Sequence, residues 1–477
     1  MNTASRRYRY LVRAVPGLMV ASGILAMALA ILLAGQGGYV SQPPIFLSIG
    51  PVDVVVSFVA PSIALVAAGA LAVVAVAVLV LAMDTWAARR VSRPVRAVEH
   101  AQVRVLRSEI TRHRDLVPTR ITAVIPAHNE EVNLPATLES LARQSRPPST
   151  VWVIADNCTD STAEIALAHG AQVHTTVNNR HKKAGGLNQL LAVLLPQMGA
   201  GDAVLVMDAD TSMADDFLEV AARALDTVPD LDAVGGVFYG DETPGLLAQL
   251  QRNEFVRYAR DVSRHYERVF VLTGTASVFR ADALRAVAEA RGTIVEGTQG
   301  QVYDTLSLTE DNEITLALKT LGARLVSPRQ CRVVTELMPT WGDLWRQRER
   351  WQRGALENIG MYGFSSATAR YWMQQFGIGY GVLALNAYFL LMIVSILALK
   401  LVPVIVFWVL VGALFAVERV VTVWDGGWRA RLLALPLVIE VAYDWVLQAV
   451  YVKSLADIAL GRQRQWNHVR HEAVDGS

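Results

Sequence analysis

Four short polar segments, far apart in the chain, hold the side chains best suited to do chemistry. They are residues 181–188, 208–210, 309–311 and 347–351, with the sequences HKKAGGLN, DAD, TED and QRERW. Two carboxylates after an apolar run can hold a divalent cation that bridges a diphosphate. A separate carboxylate can accept a proton, and an arginine beside a tryptophan can pair with phosphate next to a sugar-stacking ring. Together the segments indicate sugar transfer.

The region that carries these segments alternates short apolar runs with helical stretches. Strands are predicted at 121–126, 151–155 and 203–207, and helices at 132–143 and 162–169. Continuous apolar strands alternating with helices imply a parallel sheet covered on both faces. Ligands of such sheets bind at the carboxyl ends of the strands, which is where residues 128–130, 156–160 and 208–210 follow. We therefore expect the polar groups to meet at one edge of the sheet.

Composition and charge place this region at a membrane. The chain is 53% hydrophobic and 18% charged, which is more apolar than an ordinary soluble protein, and its net charge of +1 gives no basis for a nucleic-acid partner. Residues 15–34 and 54–83 are uncharged, and each run exceeds the ~20 residues that a spanning helix needs. Arginines flank this pair of runs on both outer sides, so the positive-inside rule places the region after residue 84 in the cytoplasm.

The C-terminal third contains further apolar runs. Residues 371–399 and 401–417 are uncharged, and residues 432–452 carry only Glu440 and Asp444. We predict three spans, although the basic tail favours an even number of crossings and so leaves a re-entrant or interfacial segment open. Both acids must face protein or water, either lining a channel or bonding to a neighbouring helix.

In order, the motifs resemble inverting glycosyltransferase family 2. The resemblance rests on Pro126–Glu130, Asp156–Asp160, Lys183–Gly185, the Asp-Ala-Asp and Thr-Glu-Asp segments, and Gln-x-x-Arg-Trp. Within the family, the chain is most similar to the membrane-integrated processive synthases of cellulose, hyaluronan, chitin oligosaccharides and poly-N-acetylglucosamine. The resemblance covers residues 121–354. It implies an α/β glycosyltransferase-A-like domain with a mostly parallel sheet, inserted between α-helical transmembrane segments.

The predicted organisation has six parts. They are a transmembrane hairpin (1–84), a basic cytoplasmic linker (85–118), a nucleotide-sugar-binding catalytic domain (119–335), interfacial amphipathic helices with Gln-x-x-Arg-Trp (336–370), transmembrane segments (371–452) and a polar tail (453–477).

The resemblance implies donor-binding roles for the first half of the site. Asp208 and Asp210 would bind the nucleotide sugar, with Asp210 the ligand of Mg²⁺ or Mn²⁺. Asp156 would contact the nucleoside, which we expect to be uridine, and Lys183 the diphosphate. The substrate-binding set is completed by Glu130 after the first strand and by Thr275 at the acceptor end. Several of these residues have alternatives: Asp-x-Asp-Thr also suits a helix N-cap, Asp156 an Asx-turn and the segment around Thr275 a plain strand-turn, and Lys182 could replace Lys183.

The acceptor half follows from the later motifs. By resemblance Asp311 is the general base, although acids also favour the N-terminus of the helix predicted at 313–319. Residues 341–357 are predicted to form an amphipathic helix at the membrane surface, and residues 246–270 are predicted to form a second helix of this kind. On the first, Gln347 would bind substrate, Arg350 would neutralise the leaving diphosphate, and Trp351 would stack on the acceptor sugar.

The leading functional hypothesis is a processive synthase in the cell membrane. It would use a UDP-sugar, with N-acetylglucosamine favoured, and pass a growing β-linked polysaccharide through its own spans in the lipid bilayer. One alternative is a non-processive membrane transferase that adds a single sugar to a lipid or glycolipid. A third hypothesis, a transporter or receptor with a degenerate domain, is disfavoured by the complete set Asp208, Asp210, Asp311 and Arg350.

Overall fold

The computed structural model describes residues 118–264, 269–399, 412–413 and 415–462, with a few short stretches between residues 39 and 75. The predicted span over residues 15–34, residues 85–117 of the predicted linker and the tail from residue 463 lie outside the described residues. The chain divides into two compact units, Met1–Arg93 with Ala369–Glu418, and Pro94–Thr368 with Arg419–Ser477. The second unit therefore joins the predicted catalytic domain to the end of the predicted transmembrane region.

The N-terminal unit corrects one expectation. Strand Ile45–Ile49 pairs with Val52–Val56, and Tyr39–Ser41 pairs with Val59–Pro61, both antiparallel. The helical span predicted over 54–83 therefore cannot begin at residue 54, although residues 68, 71 and 75 are helical. Hydropathy alone does not separate a strand from a helix, whereas the β-branched valines of Val52–Val56 favour the strand.

A seven-stranded sheet forms the centre of the second unit. Its strands in chain order are β1 (Arg120–Ala127), β2 (Thr150–Ala155), β3 (Gln172–Thr175), β4 (Asp202–Met207), β6 (Leu231–Gly235), β8 (Ala276–Arg280) and β9 (Arg324–Val326). The spatial order is β9-β6-β8-β4-β1-β2-β3. All neighbours are parallel except that β8 runs antiparallel to both β6 and β4. The predicted α/β architecture with a mostly parallel sheet is confirmed.

Helices cover both faces of this sheet. They are α1 (Leu134–Ala142), α2 (Thr162–Ala168), α3 (Lys182–Leu194), α4 (Phe217–Thr227), α6 (Ala281–Ala290) and α7 (Glu310–Thr320). Alternate residues of β4 enter opposite layers: Leu205 packs with α1 and α4, and Val206 with α3, α6 and α7. This two-sided burial explains why the strand sequences are continuously apolar. The three predicted strands and two predicted helices are present, but β1 continues through Pro126 instead of ending there.

A second, three-stranded sheet lies beside the end of β4. It contains β5 (Thr211–Met213), β7 (Val237–Gly240) and β10 (Arg332–Thr335) in the order β7-β10-β5. Because β5 begins directly after Asp210, the acidic pair occupies the junction between the two sheets. Helix α5 (Leu246–Arg264) follows β7 and corresponds to the second predicted amphipathic helix.

The C-terminal helices are α8 (Trp341–Tyr362), α9 (Ala369–Leu399), α10 (Gly427–Ala434) and α11 (Val438–Ala459). Thr340 caps α8 by accepting the amide of Asp343 at 3.1 Å, which fixes the start of the predicted 341–357 helix. The apolar run over residues 432–452 is divided between α10 and α11, which meet at 100°. Pro436 cannot continue a helix, and Leu437 has a left-handed φ of 55°.

Among the described helices, no single one is long and apolar enough to cross a membrane. By length and composition alone, one bent pair qualifies there, Trp424–Ala434 with Val438–Ala459. Glu440 is fully buried, and it accepts hydrogen bonds from Asn253 at 3.0 Å and Arg257 at 2.6 Å, both on α5. Of the two roles predicted for Glu440, bonding to a neighbouring helix is therefore the one observed.

Candidate active site

Three of the four polar segments meet at the side chain of Lys183. Its Nζ lies 2.6 Å from Oδ1 of Asp208, which follows β4, and 2.9 Å from Oε1 of Glu310, the first residue of α7. Burial alone would lower the pKa of Lys183, but the two carboxylates raise it well above its ordinary value. Lys183 is therefore a permanent cation that ties the Asp-Ala-Asp segment to the Thr-Glu-Asp segment.

Asp311 is fixed next to this bridge. Its Oδ1 accepts the amide of Asn312 at 2.7 Å, and its Oδ2 accepts the amide of Gly274 at 3.2 Å. Burial and then the charge of Glu310 raise the pKa of Asp311 to about 6. A carboxyl group with this pKa is ionised at neutral pH and binds a proton more readily than an ordinary aspartate, which suits a general base. The position thus agrees with the role predicted for Asp311.

Two members of the Thr273–Ala276 segment, Thr273 and Gly274, line the pocket of the site. A Cβ on Gly274 would lie 3.0 Å from Nζ of Lys183 and 3.6 Å from Oδ2 of Asp311. A side chain at this position would crowd the ammonium of Lys183, so glycine gives the backbone its closest approach to the charged groups. Thr275 was predicted from the sequence to bind substrate. Its hydroxyl forms a 2.9 Å hydrogen bond with the hydroxyl of Thr273, and its backbone carbonyl accepts a hydrogen bond from the backbone amide of Asp208.

Asp210 lies in an acidic surrounding. Burial, followed by the charges of Asp208 and Glu130 and more weakly Glu336, raises the pKa of Asp210 to about 7. Thr211 donates a 3.1 Å hydrogen bond to its Oδ1. Glu336 was not selected from the sequence because it lies outside every motif.

A divalent cation fits this arrangement, because a positive charge would relieve the crowding of like charges around Asp210. In the described part of the chain no group of three or more acidic, histidine or cysteine side chains could hold a metal ion on its own. The donor set therefore suits a cation held by Asp210, with Asp208 beside it, and completed by phosphate oxygens and water. A site of this kind needs its substrate to be complete.

Asp156 is held by a network of neutral donors. Its Oδ1 accepts from Asn179 at 2.7 Å, from Thr176 at 2.8 Å and from Asn157 at 3.0 Å. Asn179 also donates to the carbonyl of Lys182 at 2.7 Å, and so links the predicted nucleoside contact to the start of α3. The network fixes the orientation of the carboxylate. Neither Asn179 nor Thr176 belongs to a recognised motif, so sequence reasoning missed both.

Gly185 permits the close contact between α3 and this network. A Cβ at Gly185 would lie 2.0 Å from Oδ1 of Asn179, a distance that no side chain could tolerate. Glu130, which was predicted to bind substrate, follows the carboxyl end of β1. It accepts a 3.2 Å hydrogen bond from Asn133, and its negative charge contributes to the raised pKa of Asp210. Glu130 therefore lies near the acid pair, as the strand-end argument predicts.

Helix α8 brings Arg350 to the same site. The charge of Arg350 acts on both Lys182 and Glu310: together with burial it lowers the pKa of Lys182, and after Lys183 it contributes to lowering that of Glu310. Two cations, Lys182 and Arg350, are thus close to each other beside the Lys183 bridge. Two neighbouring positive groups suit an anionic ligand such as a diphosphate.

The remaining residues of the Gln-x-x-Arg-Trp segment are engaged within the protein. Gln347 accepts a hydrogen bond from Arg348, whose guanidinium lies 4.3 Å from the centre of the Trp351 ring and pairs with Glu254 at 3.0 Å. Trp351 is half-buried, and it packs against Ala248, Phe255 and Leu337. One face of its indole is therefore covered, so an acceptor sugar would have to use the other face or the ring edge.

Tyr303 is a further residue of the site that sequence reasoning missed. It is buried and lines a small pocket with Lys183, Gly274, Glu310 and Asp311. Asn188 of α3 holds its backbone, accepting the amide of Tyr303 at 2.9 Å and donating to its carbonyl at 2.8 Å. The one sequence feature that pointed towards Tyr303 was the HKKAGGLN segment, because its last residue is Asn188.

Comparison with known proteins identifies the family of this domain. The family model described as "Glycosyltransferase like family 2" matches residues 118–354. Poly-beta-1,6-N-acetyl-D-glucosamine synthase of Staphylococcus epidermidis is 24% identical over 244 residues, which is 50% of this chain and 55% of the relative. The same enzyme of Staphylococcus aureus (strain COL) is 23% identical over 240 residues, with the same shares of the two chains. The chain thus spans about half the length of the curated relatives it matches.

Two solved structures show more distant likeness. A mannosyltransferase from Pyrobaculum calidifontis, in complex with GDP-Man and Mn²⁺, is 16% identical, with a TM-score of 0.49 over 82% of this chain and 99% of that one. TarS 1-349 of S. aureus, in complex with UDP-GlcNAc, is 16% identical, with a TM-score of 0.36 over 74% of this chain and 95% of that one.

Proposed function

Since residues 118–354 are a glycosyltransferase domain of family 2, with a glycosyltransferase-A-like fold, we propose that the protein is an inverting membrane enzyme that builds a β-linked polysaccharide from a UDP-sugar. The observation that carries the proposal is the Lys183 bridge between Asp208 and Glu310. It brings a donor-binding acid pair and a basic carboxylate, Asp311, into one site, as single-step transfer requires.

The positions of the side chains support the following reaction. Asp156 orients the nucleoside, and Lys182 and Arg350 pair with the diphosphate. The acceptor hydroxyl attacks the anomeric carbon of the donor while its proton passes to Asp311. The bond from the anomeric carbon to the diphosphate oxygen breaks, and the nucleoside diphosphate leaves with both bonding electrons. One displacement inverts the anomeric centre, so an α-linked donor yields a β-linked product.

A bound Mg²⁺ or Mn²⁺ would supply charge neutralisation for the diphosphate, and Asp210 is the residue we assign to hold it. Asp208 lies beside it but is tied to Lys183, which limits its freedom to act as a second ligand. Lys183 itself would act as the fixed counter-charge of Asp208 and Glu310. We therefore assign the direct diphosphate contact to Lys182 instead of Lys183.

We favour N-acetylglucosamine as the transferred sugar because the matched curated relatives are named as synthases of its polymer. We also propose that the enzyme is a multi-pass protein of the cell membrane with a cytoplasmic catalytic domain. The support for this location is the pair of uncharged runs over residues 15–34 and 54–83 and the arginines that flank them.

A donor screen on purified full-length protein tests the function. Release of UDP and the mass of the product are measured together for UDP-N-acetylglucosamine, UDP-glucose and UDP-glucuronate. We expect UDP release with the first donor and a product of many sugars. A product with a single added sugar would instead favour the non-processive transferase. Lack of turnover with all three donors in the presence of metal would contradict the proposed function.

A further inference from the structure

Helix α8 continues past the Gln-x-x-Arg-Trp segment and places three more residues on the face that carries Arg350. Gly354, Asn358 and Tyr362 follow Arg350 at steps of four, so they lie above one another along the helix. All three contact the segment around the start of α7, which carries Glu310 and Asp311. We call these three residues the α8 seam.

The first member allows the close approach. A Cβ on Gly354 would lie 2.4 Å from Oγ1 of Thr309 and 2.7 Å from its Cγ2. Thr309 is the residue directly before Glu310. Any side chain at position 354 would therefore push α8 and the Thr-Glu-Asp segment apart.

The second member joins the two elements by hydrogen bonds. The Nδ2 of Asn358 lies 3.2 Å from Oγ1 of Thr309 and 3.0 Å from Oδ1 of Asn312, while its Oδ1 accepts from the hydroxyl of Ser307 at 2.9 Å. Asn358 is only 2% exposed, so water cannot readily replace these partners. Asn312 is also the residue whose amide donates to Asp311. One buried amide group thus connects the helix of Arg350 to the turn that orients Asp311.

The third member closes the far end. The hydroxyl of Tyr362 donates to Oε1 of Glu313 at 2.5 Å. Glu313 lies in the first turn of α7 and is held from its other side by a bidentate ion pair with Arg291, at 2.5 and 2.7 Å. The first turn of α7 is therefore fixed between α8 and Arg291.

We propose that the α8 seam is a positioning device that sets Arg350 and Asp311 in register across the reacting bond. The inference rests on the proposed function, in which these two residues act on the leaving diphosphate and on the acceptor proton. They lie on different elements, 39 positions apart in the numbering of the chain. A displacement of about 1 Å between reacting groups can cost on the order of a hundredfold in rate.

The central test replaces Asn358 by alanine and uses Asn253→Ala as its matched control. Asn253 is also a fully buried asparagine, and it bonds to Glu440 at 3.0 Å and to the carbonyl of Ala430 at 3.3 Å, away from α7. The readouts are kcat with UDP-N-acetylglucosamine, the Kd of UDP and the melting temperature. We expect Asn358→Ala to lower kcat by about ten- to a hundredfold with the Kd of UDP changed less than about threefold. Asn253→Ala should lower the melting temperature to a similar extent but leave kcat per folded molecule unchanged.

A double-mutant cycle tests the close approach separately. Gly354→Ala should lower kcat strongly when residue 309 is threonine, because the new methyl group meets Oγ1 and Cγ2. In a Thr309→Ala background those two atoms are gone, so Gly354→Ala should cost much less. Effects that simply multiply across the cycle would show that the two residues act independently and would contradict the seam.

Two outcomes separate failure of the seam from failure of the proposed function. Equal loss of kcat in Asn358→Ala and Asn253→Ala, in step with their melting temperatures, would reduce the seam to ordinary packing. If the parent protein turns over no UDP-sugar, the proposed function fails, and amide hydrogen exchange over residues 307–313 still decides the seam. Exchange there that is no faster in Asn358→Ala than in Asn253→Ala would overturn it.

Discussion

The ammonium of Lys183 lies 2.6 Å from the carboxylate of Asp208. The charge of Lys183 is therefore paired within the protein before any substrate binds. The second partner of Lys183 is Glu310, at 2.9 Å. The side chain is only 20% exposed, and both carboxylates would be left without their counter-charge if it were removed. A lysine in this position organises the site, and we therefore assign the contact with the diphosphate to its neighbour Lys182.

The two adjacent lysines should therefore respond differently to removal. Lys182→Ala should raise the Kd of UDP by about ten- to a hundredfold, as expected for loss of one charge-assisted hydrogen bond, with little change in melting temperature. Lys183→Ala should lower the melting temperature as well, because it leaves Asp208 and Glu310 uncompensated in a half-buried site. Calorimetry and thermal denaturation on the two variants measure both quantities. Equal loss of UDP affinity with an unchanged melting temperature in both would contradict the assignment.

Removal of the base should separate chemistry from binding. Asp311→Asn should lower kcat by about a hundred- to ten-thousandfold, while the Kd of UDP stays within a few-fold, because the donor contacts are on other residues. Activity should also depend on pH. Since the pKa of Asp311 is raised to about 6, the fraction of ionised base and therefore kcat should fall about tenfold per pH unit below 6. Loss of UDP binding in step with activity would make Asp311 a binding residue and leave Glu310 as the alternative base.

The acidic surrounding of Asp210 predicts a requirement for metal. Turnover should need Mg²⁺ or Mn²⁺, and Asp210→Asn should abolish it without lowering the melting temperature, because the substitution removes charge from a crowded acidic cluster. Activity is measured before and after treatment with excess chelator and again after metal is restored. Full activity in chelator would exclude the metal.

Trp351 distinguishes an enzyme that retains its polymer from one that releases it after a single step. An aromatic contact contributes roughly 0.5–1.5 kcal/mol beyond area burial, so its loss should shorten the residence of the chain several-fold. Trp351→Ala should therefore give shorter product while release of UDP continues at a reduced rate, and Trp351→Phe should be milder. Because Arg348 stacks on the indole, the melting temperature must be measured in parallel. Product of unchanged length from folded Trp351→Ala enzyme would remove the acceptor role.

The buried ion pair between Arg291 and Glu313 predicts a large effect on stability. Both side chains have no exposed surface, so Arg291→Ala leaves the buried carboxylate of Glu313 without a positive counter-charge. We expect a loss of about 3–5 kcal/mol in the free energy of unfolding. The exposed pair between Arg324 and Asp230, at 55% and 60% exposure, provides the control, and its removal should cost less than about 1 kcal/mol. Denaturant titration of both variants measures the difference.

The sequence predicted the parts of the site that depend on local pattern. Continuous apolar runs identified β1, β2 and β4, and the strand-end rule placed Asp156 and Asp208 at one edge of the sheet. The sequence could not predict which residue of each segment faces the active site. That choice is made by packing between distant elements, which bring the backbone of Gly274 to Asp311 and Asn179 to Asp156.

The apolar termini show the opposite limitation. Hydropathy marked residues 54–83 and 432–452 as apolar but could not tell strand from helix at Val52–Val56, because both can bury valine. In the second segment Pro436 carried the signal for the break between α10 and α11, but an average over the whole run concealed it. The charge of Glu440 correctly predicted that this run contacts a polar partner. In the structure Glu440 forms an ion pair with Arg257.

The contact between Tyr443 and Glu254 has a consequence for the order in which the protein is assembled. The hydroxyl of Tyr443 donates to Glu254 at 2.6 Å, and the same carboxylate pairs with Arg348, three residues before Trp351. The two ends of this contact are 189 residues apart, so α11 leaves the ribosome long after α5 and α8 have been made. Such non-local contacts form late in folding. The nascent enzyme should therefore complete the support of its Gln-x-x-Arg-Trp helix only after α11 has been synthesised, which delays the appearance of activity until that helix is in place.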